Sequence, residues 1–355
     1  MDATSSGEKA VYVFGAGASV SLGPPMVSHL LDHALGKQPL FLGDEGSQYL
    51  PRNDRNSLKR FLESSFPNSS PNIEELLSIV DLSINARVTI GTYNLEALYK
   101  ILNILQRAVS NTISESLRYE DGTFFDENLR AIENPYEVLL RRLKTDDAIV
   151  TFNYDSIIEF TMEGMNLLRR IDFGAEFQQI WIDSDLKQRI DVLGLQIEEP
   201  RLIILKLHGS VSWHRCLGCG NYTWYPAIRG FDPPDPSDTS DPHWLYACCP
   251  STPWEIAIVP PTFLKTHHDR VLEQIWARAF KVLRDASEIV FIGYSLPESD
   301  LDARLLFVRA LAARTPRPKI TVVNPDRAVQ GKYERLLGLV TFLPVTFEAY
   351  MAQKH

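Results

Sequence analysis

His208 is a lone histidine at the end of a very apolar segment, with a glycine directly after it. A histidine in such a half-buried position suits a general base, because its surroundings can tune its affinity for a proton. Asn153 and Asp155 also follow an apolar segment, although both residue types are common in turns. If the two segments are parallel strands, these three side chains lie at the same edge of one sheet, where ligands bind in such folds.

A glycine-rich turn, Gly15 to Ser19, follows the apolar run Val11 to Phe14. Its small residues let the backbone turn sharply and approach a ligand closely. Farther on, Met26 to Leu35 can form a helix whose free N–H groups favour a phosphate. The pattern predicts a cradle for a nucleotide phosphate. Val20 stands where the usual dinucleotide fingerprint has a third glycine, so a plain strand-to-helix turn is the alternative.

The four cysteines suggest a metal site. Cys216 and Cys219 have the spacing of a zinc knuckle, whereas Cys248 and Cys249 are adjacent and follow a long gap. Two histidines of the same stretch could replace a cysteine as ligand: His214 and His243. Structural zinc and unmetallated thiols are the alternatives, and either would serve as scaffolding rather than in catalysis. The nearby run His267-His268-Asp269 is more typical of a helix N-terminus than of a site.

The elements that must position these residues are apolar strands alternating with helices. Helices predicted at 270–285 and about 299–313 separate the later strands, and such alternation favours a mostly parallel sheet in an α/β fold. Polar residues follow several of the strands, at the edge where open α/β sheets bind ligands. The predicted strands are 11–14, 148–152, 202–207, 256–259, 288–292 and 319–323.

Between the first two strands the pattern becomes helical. Apolar residues recur at helical spacing over 73–84 and 95–113, and 135–143 is a third helical segment. Residues 36–70, rich in Gly, Pro, Asn and Ser, are predicted to be irregular. We therefore expect a core from 1–44, 146–210 and 255–330, a helical insertion at 45–145, a cysteine-containing module at 211–254, and an extension of the core at 331–355. Helix faces within 72–118 are either core or an interface between copies.

Composition narrows the class of protein. The 355 residues include 45% hydrophobic residues, enough for an ample core. The net charge of −9, without a local basic patch, disfavours autonomous binding of nucleic acid. We find no apolar run of membrane-spanning length, and Asp2 and Glu8 do not fit the basic start of a signal peptide. We therefore expect a cytoplasmic protein that does not associate with membranes.

Five segments, in this order, resemble the NAD-site motifs of the sirtuin family, and most of all those of the NAD-hydrolysing sirtuin-like domains of bacterial anti-phage defence proteins. Together they span residues 11 to about 326. The resemblance implies a Rossmann-like sheet that binds NAD at its strand ends, with a zinc-ribbon-like module after His208. The segments are Gly15-Ala-Gly-Ala-Ser19, Asn153-Tyr-Asp155, Lys206-Leu-His-Gly-Ser210, Ile292-Gly-Tyr-Ser-Leu296 and Val323-Asn324.

The resemblance also implies a role for each matching residue. His208 would act as base at the ribose, Asn153 would position a water there, and Asp155 would hold the nicotinamide carboxamide. Loss of nicotinamide leaves an oxocarbenium-like sugar, whose charge such a site must stabilise. The remaining matches would bind the rest of NAD: Gly15, Ala16, Gly17 and Ser19 the diphosphate, Ser295 a phosphate or ribose, and Asn324 the adenosine ribose.

Two departures bear on the reaction. Family deacylases have Gln where this chain has Phe152, and they have an Asp-Phe-Arg segment after the glycine motif that is absent here. We therefore expect an NAD glycohydrolase that releases nicotinamide and ADP-ribose, a regulated NAD-depleting effector of anti-phage defence. An NAD-dependent protein deacylase, and a non-catalytic NAD- or nucleotide-binding sensor or assembly module, are the alternatives. The resemblance further implies a homo-oligomer and a partner protein such as an ATPase.

Overall fold

The computed structural model describes residues 9–37, 50–120, 122–126, 128–182, 189–191, 199–224, 249, 254–258 and 269–353. The helices are α1 (Val27–Ala34), α2 (Arg52–Ser65), α3 (Ile73–Asn85), α4 (Leu95–Ser116), α5 (Pro135–Arg142), α6 (Ile157–Gly164), α7 (Arg270–Asp285), α8 (Leu301–Ala312), α9 (Gln330–Leu337) and α10 (Phe347–Ala352). Among the helices of these residues, none is long and apolar enough to cross a membrane.

The strands form three sheets, of seven, five and three strands. They are β1 (Ala10–Phe14), β2 (Tyr119–Glu120), β3 (Thr123–Phe125), β4 (Ala131–Ile132), β5 (Ala148–Thr151), β6 (Ile171–Asp172), β7 (Gln178–Ile182), β8 (Arg189–Asp191), β9 (Leu202–Lys206), β10 (Gly209–Cys216), β11 (Tyr222–Trp224), β12 (Trp254–Ile258), β13 (Glu288–Ile292), β14 (Lys319–Val323) and β15 (Thr341–Leu343).

The seven-stranded sheet has the order β15-β14-β13-β1-β5-β9-β6, and every neighbouring pair is parallel. When the six strands other than the edge strand β6 are renumbered 1 to 6 by their order along the chain, their order across the sheet is 3-2-1-4-5-6. That is the strand order of a Rossmann-like fold. The order of connections reverses between β1 and β13. A crevice at such a switch point is where open α/β sheets bind their ligands.

Five of the predicted strands form in this sheet, which confirms the α/β, mostly parallel fold. The sixth, expected at 256–259, forms as β12 but pairs antiparallel with β10 in the five-stranded sheet. Gly209, the first residue of β10, accounts for this pairing. Its φ of 77° turns the chain out of the parallel sheet soon after β9 ends, and β12 then pairs with the strand that follows the turn. A short apolar run does not specify which sheet it joins, so the sequence placed this strand wrongly.

The apolar faces of α3 and α4 are buried in one hydrophobic cluster, so these faces are core rather than an exposed interface. The same cluster includes Val211 and Ile258 of the five-stranded sheet and Tyr154, which follows β5. The predicted irregular stretch 36–70 is wrong over 52–65, where α2 forms. Its sequence is mainly polar and buries only Leu58 and Phe61, too few apolar positions to show a helical period. Residues 38–49 lie outside the described part.

Candidate functional site

The glycine-rich turn lies at the switch point and packs against the loop after β13. The Gly15 N–H donates to the carbonyl of Ile292 at 3.1 Å, and the Gly17 N–H to that of Gly293 at 3.0 Å. A Cβ on Gly15 would lie 2.5 Å from the Cα of Tyr294, and one on Gly17 2.9 Å from the Gly293 oxygen. Glycine is therefore required here by the contact between the two loops. Close approach to a diphosphate remains a prediction.

Asn153 is joined to this turn by its side chain. Its amide nitrogen donates to the Gly15 carbonyl and to the Ser19 hydroxyl, both at 3.1 Å. With both amide hydrogens directed at the turn, the position of the amide oxygen is fixed. That oxygen is buried and has no hydrogen-bond partner among the described residues.

Ser19 lies between three groups of the site. Besides the Asn153 amide, its hydroxyl lies 3.0 Å from the Tyr136 hydroxyl, and it hydrogen-bonds the Asp155 carboxylate. Tyr136 belongs to α5 and is buried. The cradle is therefore tied to the helix that precedes β5 as well as to the polar residues that follow it.

Asp155 is buried beside the ion pair of Lys206 and Glu159. Its carboxylate accepts the N–H of Ile157 at 3.2 Å at the start of α6. Lys206 donates to the Asp155 main-chain carbonyl and to Glu159 Oε1, the latter at 2.8 Å. Burial raises the pKa values of both carboxyl groups, Asp155 and Glu159, while the Lys206 ammonium opposes that rise. Lys206 thus fixes the loop that carries Asn153 and Asp155.

His208 faces a buried carboxylate. Its Nε2 lies 3.4 Å from Asp300 Oδ2, and the two side chains are 4% and 1% exposed. The Tyr294 hydroxyl donates to the same Asp300 oxygen at 2.9 Å. Asp300 Oδ1 accepts the N–H of Ala303 at 3.4 Å and so caps α8. Histidine comes from the segment after β9, and aspartate and tyrosine come from the loop between β13 and α8, so two chain segments meet beside the switch point.

Aromatic rings enclose this histidine. Phe152 meets the His208 ring edge-on at 5.1 Å and stacks on Tyr294 at 4.5 Å. The Tyr154 ring lies 6.1 Å from that of His208. Burial is the main cause that raises the pKa values of Tyr154 and Tyr294 well above their usual range, and the negative charges of Asp300 and Glu74 add to it. The helical insertion thus contributes an acidic group, Glu74 of α3, near the site.

The two remaining predicted contacts lie on the other half of the sheet. Ser295 is exposed in the loop after β13. Asn324 follows β14, where its side-chain oxygen accepts the N–H of Asp326 at 3.0 Å in a turn. That contact is a common structural use of asparagine after a strand. The adenosine role of Asn324 therefore remains a prediction.

Three cysteines come together, as the zinc prediction requires. The sulfur atoms of Cys216, Cys219 and Cys249 all lie within 4.8 Å of one another, and all three are free thiols. His214 does not belong to this group, so its predicted role as a substitute ligand is wrong for the described residues. Cys248 and His243 lie outside the described residues, as do His267 and His268.

Asp269 caps α7 through the N–H groups of Val271 and Leu272, as predicted for a helix N-terminus.

Sequence reasoning missed two residues that shape the site, Asp300 and Tyr136. Asp300 has a sequence signal, since an acidic residue before an apolar helical segment is typical of a cap. That signal predicts the contact of Asp300 Oδ1 with the helix, but it does not predict the contact of Oδ2 with His208. Tyr136 has no comparable signal, because its contact with Ser19 joins residues 117 positions apart.

A cavity of about 450 Å³ lies away from this site, between α2 and α4. It is lined by basic side chains, two of which already have carboxylate partners. Arg107 pairs with Asp54 at 2.8 Å, and Lys100 with Glu96 at 2.7 Å. Its net charge is therefore small, and the chemistry described above is concentrated at the switch point.

No protein-family model matches the sequence, and no curated protein matches it either. The chain is similar to solved structures of Sir2 homologues. A Sir2 homologue–NAD complex matches at 13% identity with a TM-score of 0.46, over 97% of this chain and 87% of that one. A substituted Sir2 homologue with 2′-O-acetyl ADP ribose matches at 14% identity with a TM-score of 0.44, over 97% and 88%. At such identities and scores the similarity says nothing about activity or ligand.

Proposed function

We propose that this chain is an NAD glycohydrolase that cleaves NAD into nicotinamide and ADP-ribose. The observation that supports this most is the Asn153 amide, held by Gly15 and Ser19 so that its buried oxygen has no donor among the residues that the structure describes. A buried acceptor left unpaired costs about 1–3 kcal/mol. A water or a ribose hydroxyl at the switch-point crevice would supply the missing hydrogen bond.

The reaction would break the bond between ribose C1′ and the nicotinamide ring nitrogen. The bonding electrons leave with neutral nicotinamide, and C1′ gains oxocarbenium character. A water held by the Asn153 oxygen then adds to C1′, and His208 accepts its proton. Asp155 would orient the carboxamide of nicotinamide, and the Gly15–Ser19 turn would hold the diphosphate.

Purified protein incubated with NAD, with and without an acetylated peptide, separates the candidate functions. A glycohydrolase releases equal amounts of nicotinamide and ADP-ribose without peptide. Nicotinamide release only with peptide indicates a deacylase. Binding of NAD without turnover, under all conditions tested including candidate activators, indicates a sensor or assembly module. Either result would contradict the proposal.

His208→Ala tests the base in the same assay. Loss of a general base lowers turnover by about 10²–10⁴-fold. In this variant Asp300 keeps the Tyr294 hydroxyl and the Ala303 N–H as hydrogen-bond donors, so the fold should persist. His29→Ala is the matched control, because His29 is exposed on α1. A folded His208→Ala protein with the parent's rate would leave the crevice as a binding site only.

The cysteine cluster is proposed to hold a structural zinc ion. Thiolates are preferred zinc ligands, and Zn–S bonds of about 2.3 Å place tetrahedral sulfurs about 3.8 Å apart, compatible with the separation here. Zinc would contribute folding free energy to the five-stranded sheet. Elemental analysis of protein purified without chelator should find the metal. Cys216→Ser should lower the Tm, whereas turnover per folded molecule should change little. Absence of bound zinc would refute the site.

An uncontrolled NAD hydrolase would drain its own cell. We therefore propose that self-association, a partner protein such as an ATPase, or both control the activity, and that the enzyme depletes NAD in anti-phage defence. The support is the resemblance of the site motifs to those of defence proteins. Light scattering combined with the NAD assay tests the control, since a monomer that is fully active alone would contradict it.

A further inference from the structure

Asp300 uses its two carboxylate oxygens for different contacts. Oδ1 caps α8 through the N–H of Ala303, whereas Oδ2 accepts the Tyr294 hydroxyl and faces His208 Nε2. The cap and the tyrosine together hold the carboxylate in one orientation. The N-terminal end of α8 also favours its negative charge, because the helix dipole is positive there.

Three aromatic side chains near His208 cannot replace this carboxylate. Phe152 is apolar, and Tyr154 and Tyr294 stay neutral because burial raises their pKa values well above the usual range. Glu74 is the other acidic group whose charge reaches these two tyrosines. Asp300 lies within ion-pair distance of the imidazole.

We propose that Asp300 is a positioning residue that keeps the proton of neutral His208 on Nε2 and thereby leaves the lone pair of the imidazole on Nδ1. A carboxylate next to one ring nitrogen selects the tautomer protonated at that nitrogen. Tyr294 supports this role by fixing Oδ2. The inference rests on the proposed NAD hydrolysis for its catalytic meaning, because Nδ1 would be the atom that accepts the proton of the attacking water.

The double use of Asp300 allows the positioning role to be separated from the cap. Asparagine and serine are caps about as good as aspartate, so Asp300→Asn and Asp300→Ser should preserve α8. Both variants remove the negative charge beside His208. Asp326→Asn is the matched control, since Asp326 caps the turn at Arg327–Val329 through the N–H of Ala328.

The direct readout is the tautomer of His208 in long-range ¹H–¹⁵N spectra of protein labelled at histidine. His208→Gln assigns its signals among those of the eight histidines. We expect the parent and Asp326→Asn to show the Nε2-protonated pattern, and Asp300→Asn and Asp300→Ser to show a mixture or the other tautomer. An unchanged His208 pattern in a folded Asp300 variant would overturn the proposal.

The kinetic readout uses the same variants with NAD. In both Asp300 variants kcat should fall by about 10²–10³-fold with KM nearly unchanged, and Asp300→Glu should recover part of the loss. The two proposals can fail separately. A parent with the Nε2 pattern but without NAD hydrolysis would refute the glycohydrolase and leave the positioning of His208 standing. Hydrolysis with a tautomer that is independent of residue 300 would refute only the positioning role.

Discussion

Lys206 and His208 are two residues apart at the end of β9, and each faces a buried carboxylate, yet their surroundings differ. The Lys206 ammonium lies 2.8 Å from Glu159 and also donates to the main chain at Asp155, and the side chains of the pair are 1% and 0% exposed. His208 lies 3.4 Å from Asp300 and is enclosed by aromatic rings beside the crevice. The first pair joins β9 to α6, and the second lies beside the ligand edge of the sheet.

The difference shows that burial and charge do not by themselves mark a catalytic group. A buried ion pair adds little net stability compared with apolar residues, but removal of one partner is strongly destabilising. We therefore assign a structural role to Lys206, which is held by both a carboxylate and a carbonyl. For a histidine at the ligand edge of the sheet, which faces Asp300 and aromatic rings, we propose a part in the chemistry. The two pairs should consequently respond to substitution in different measurements.

The largest effect is expected on turnover, from Asn153→Ala. Loss of the fixed amide removes the orientation of the attacking water, so NAD hydrolysis should fall by about 10²–10⁴-fold. Asn103→Ala, an exposed position on α4, is the control and should keep the parent's rate. Nicotinamide release per folded molecule is the measurement. Full activity of a folded Asn153→Ala protein would contradict the assignment of the reaction to the site beside His208.

The next largest effect is expected on stability, from Lys206→Met. The change leaves Glu159 buried without its partner, so the free energy of unfolding should fall by about 3–5 kcal/mol. The double variant Lys206→Met/Glu159→Leu removes both charges and should recover most of that loss. Urea denaturation measures both. If Lys206→Met abolished NAD turnover at unchanged stability, Lys206 would belong with His208 rather than with the scaffold.

A smaller effect is expected from Gly15→Ala. The added methyl would meet the main chain at Tyr294, so the two loops must move apart, which costs about 1–3 kcal/mol of unfolding free energy and weakens NAD binding. Gly331→Ala in α9 is the control, because, its chain neighbours and own helix backbone apart, no heavy atom of the described residues lies within 4 Å of the added methyl. Replacing a helical glycine by alanine should stabilise by about 0.5–1 kcal/mol. Equal effects at both positions would contradict loop packing as the reason for Gly15.

The smallest effect concerns pH. Burial raises the pKa of Glu159 above its ordinary value of 4.5, so between that value and its raised pKa the folded state holds more protons than the unfolded state. Stability from this group is therefore complete below 4.5 and is lost as the pH rises, by at most about 1.4 kcal/mol per pH unit for one proton. Urea unfolding across pH should show a shallower decline in Glu159→Gln. A steeper decline in that variant would reverse the sign argued here.

Much of the fold could be predicted because its strands are continuous apolar runs ended by polar residues. Parallel strands buried on both faces give that pattern, and β13 and β14 formed at the predicted bounds. The sequence failed where the signal was weak or non-local. The polar helix α2 has few buried positions, and β12 is an apolar run whose sheet depends on the turn at Gly209.

The candidate site was predictable to the extent that it is built from strand ends. Asn153 and the glycine turn follow neighbouring strands of one sheet, so their meeting follows from a parallel order. Asp300 was not predictable in the same way, because its contact with His208 depends on where α8 begins relative to β9. Local sequence patterns specify that a residue caps a helix, and only tertiary packing decides what else it touches.

The central position of β1 has a consequence for how the chain folds. Ala10, its first residue, donates its main-chain N–H to Asp147 beside β5, 137 positions later, and the preceding Lys9 donates to Ser287 beside β13, 278 positions later. During synthesis, therefore, β1 cannot gain its second neighbouring strand until most of the chain has left the ribosome. Such long-range pairing is slow and leaves an apolar strand open to wrong contacts in the meantime. Refolding yield should accordingly depend strongly on protein concentration, even though the finished sheet buries β1 between two partners.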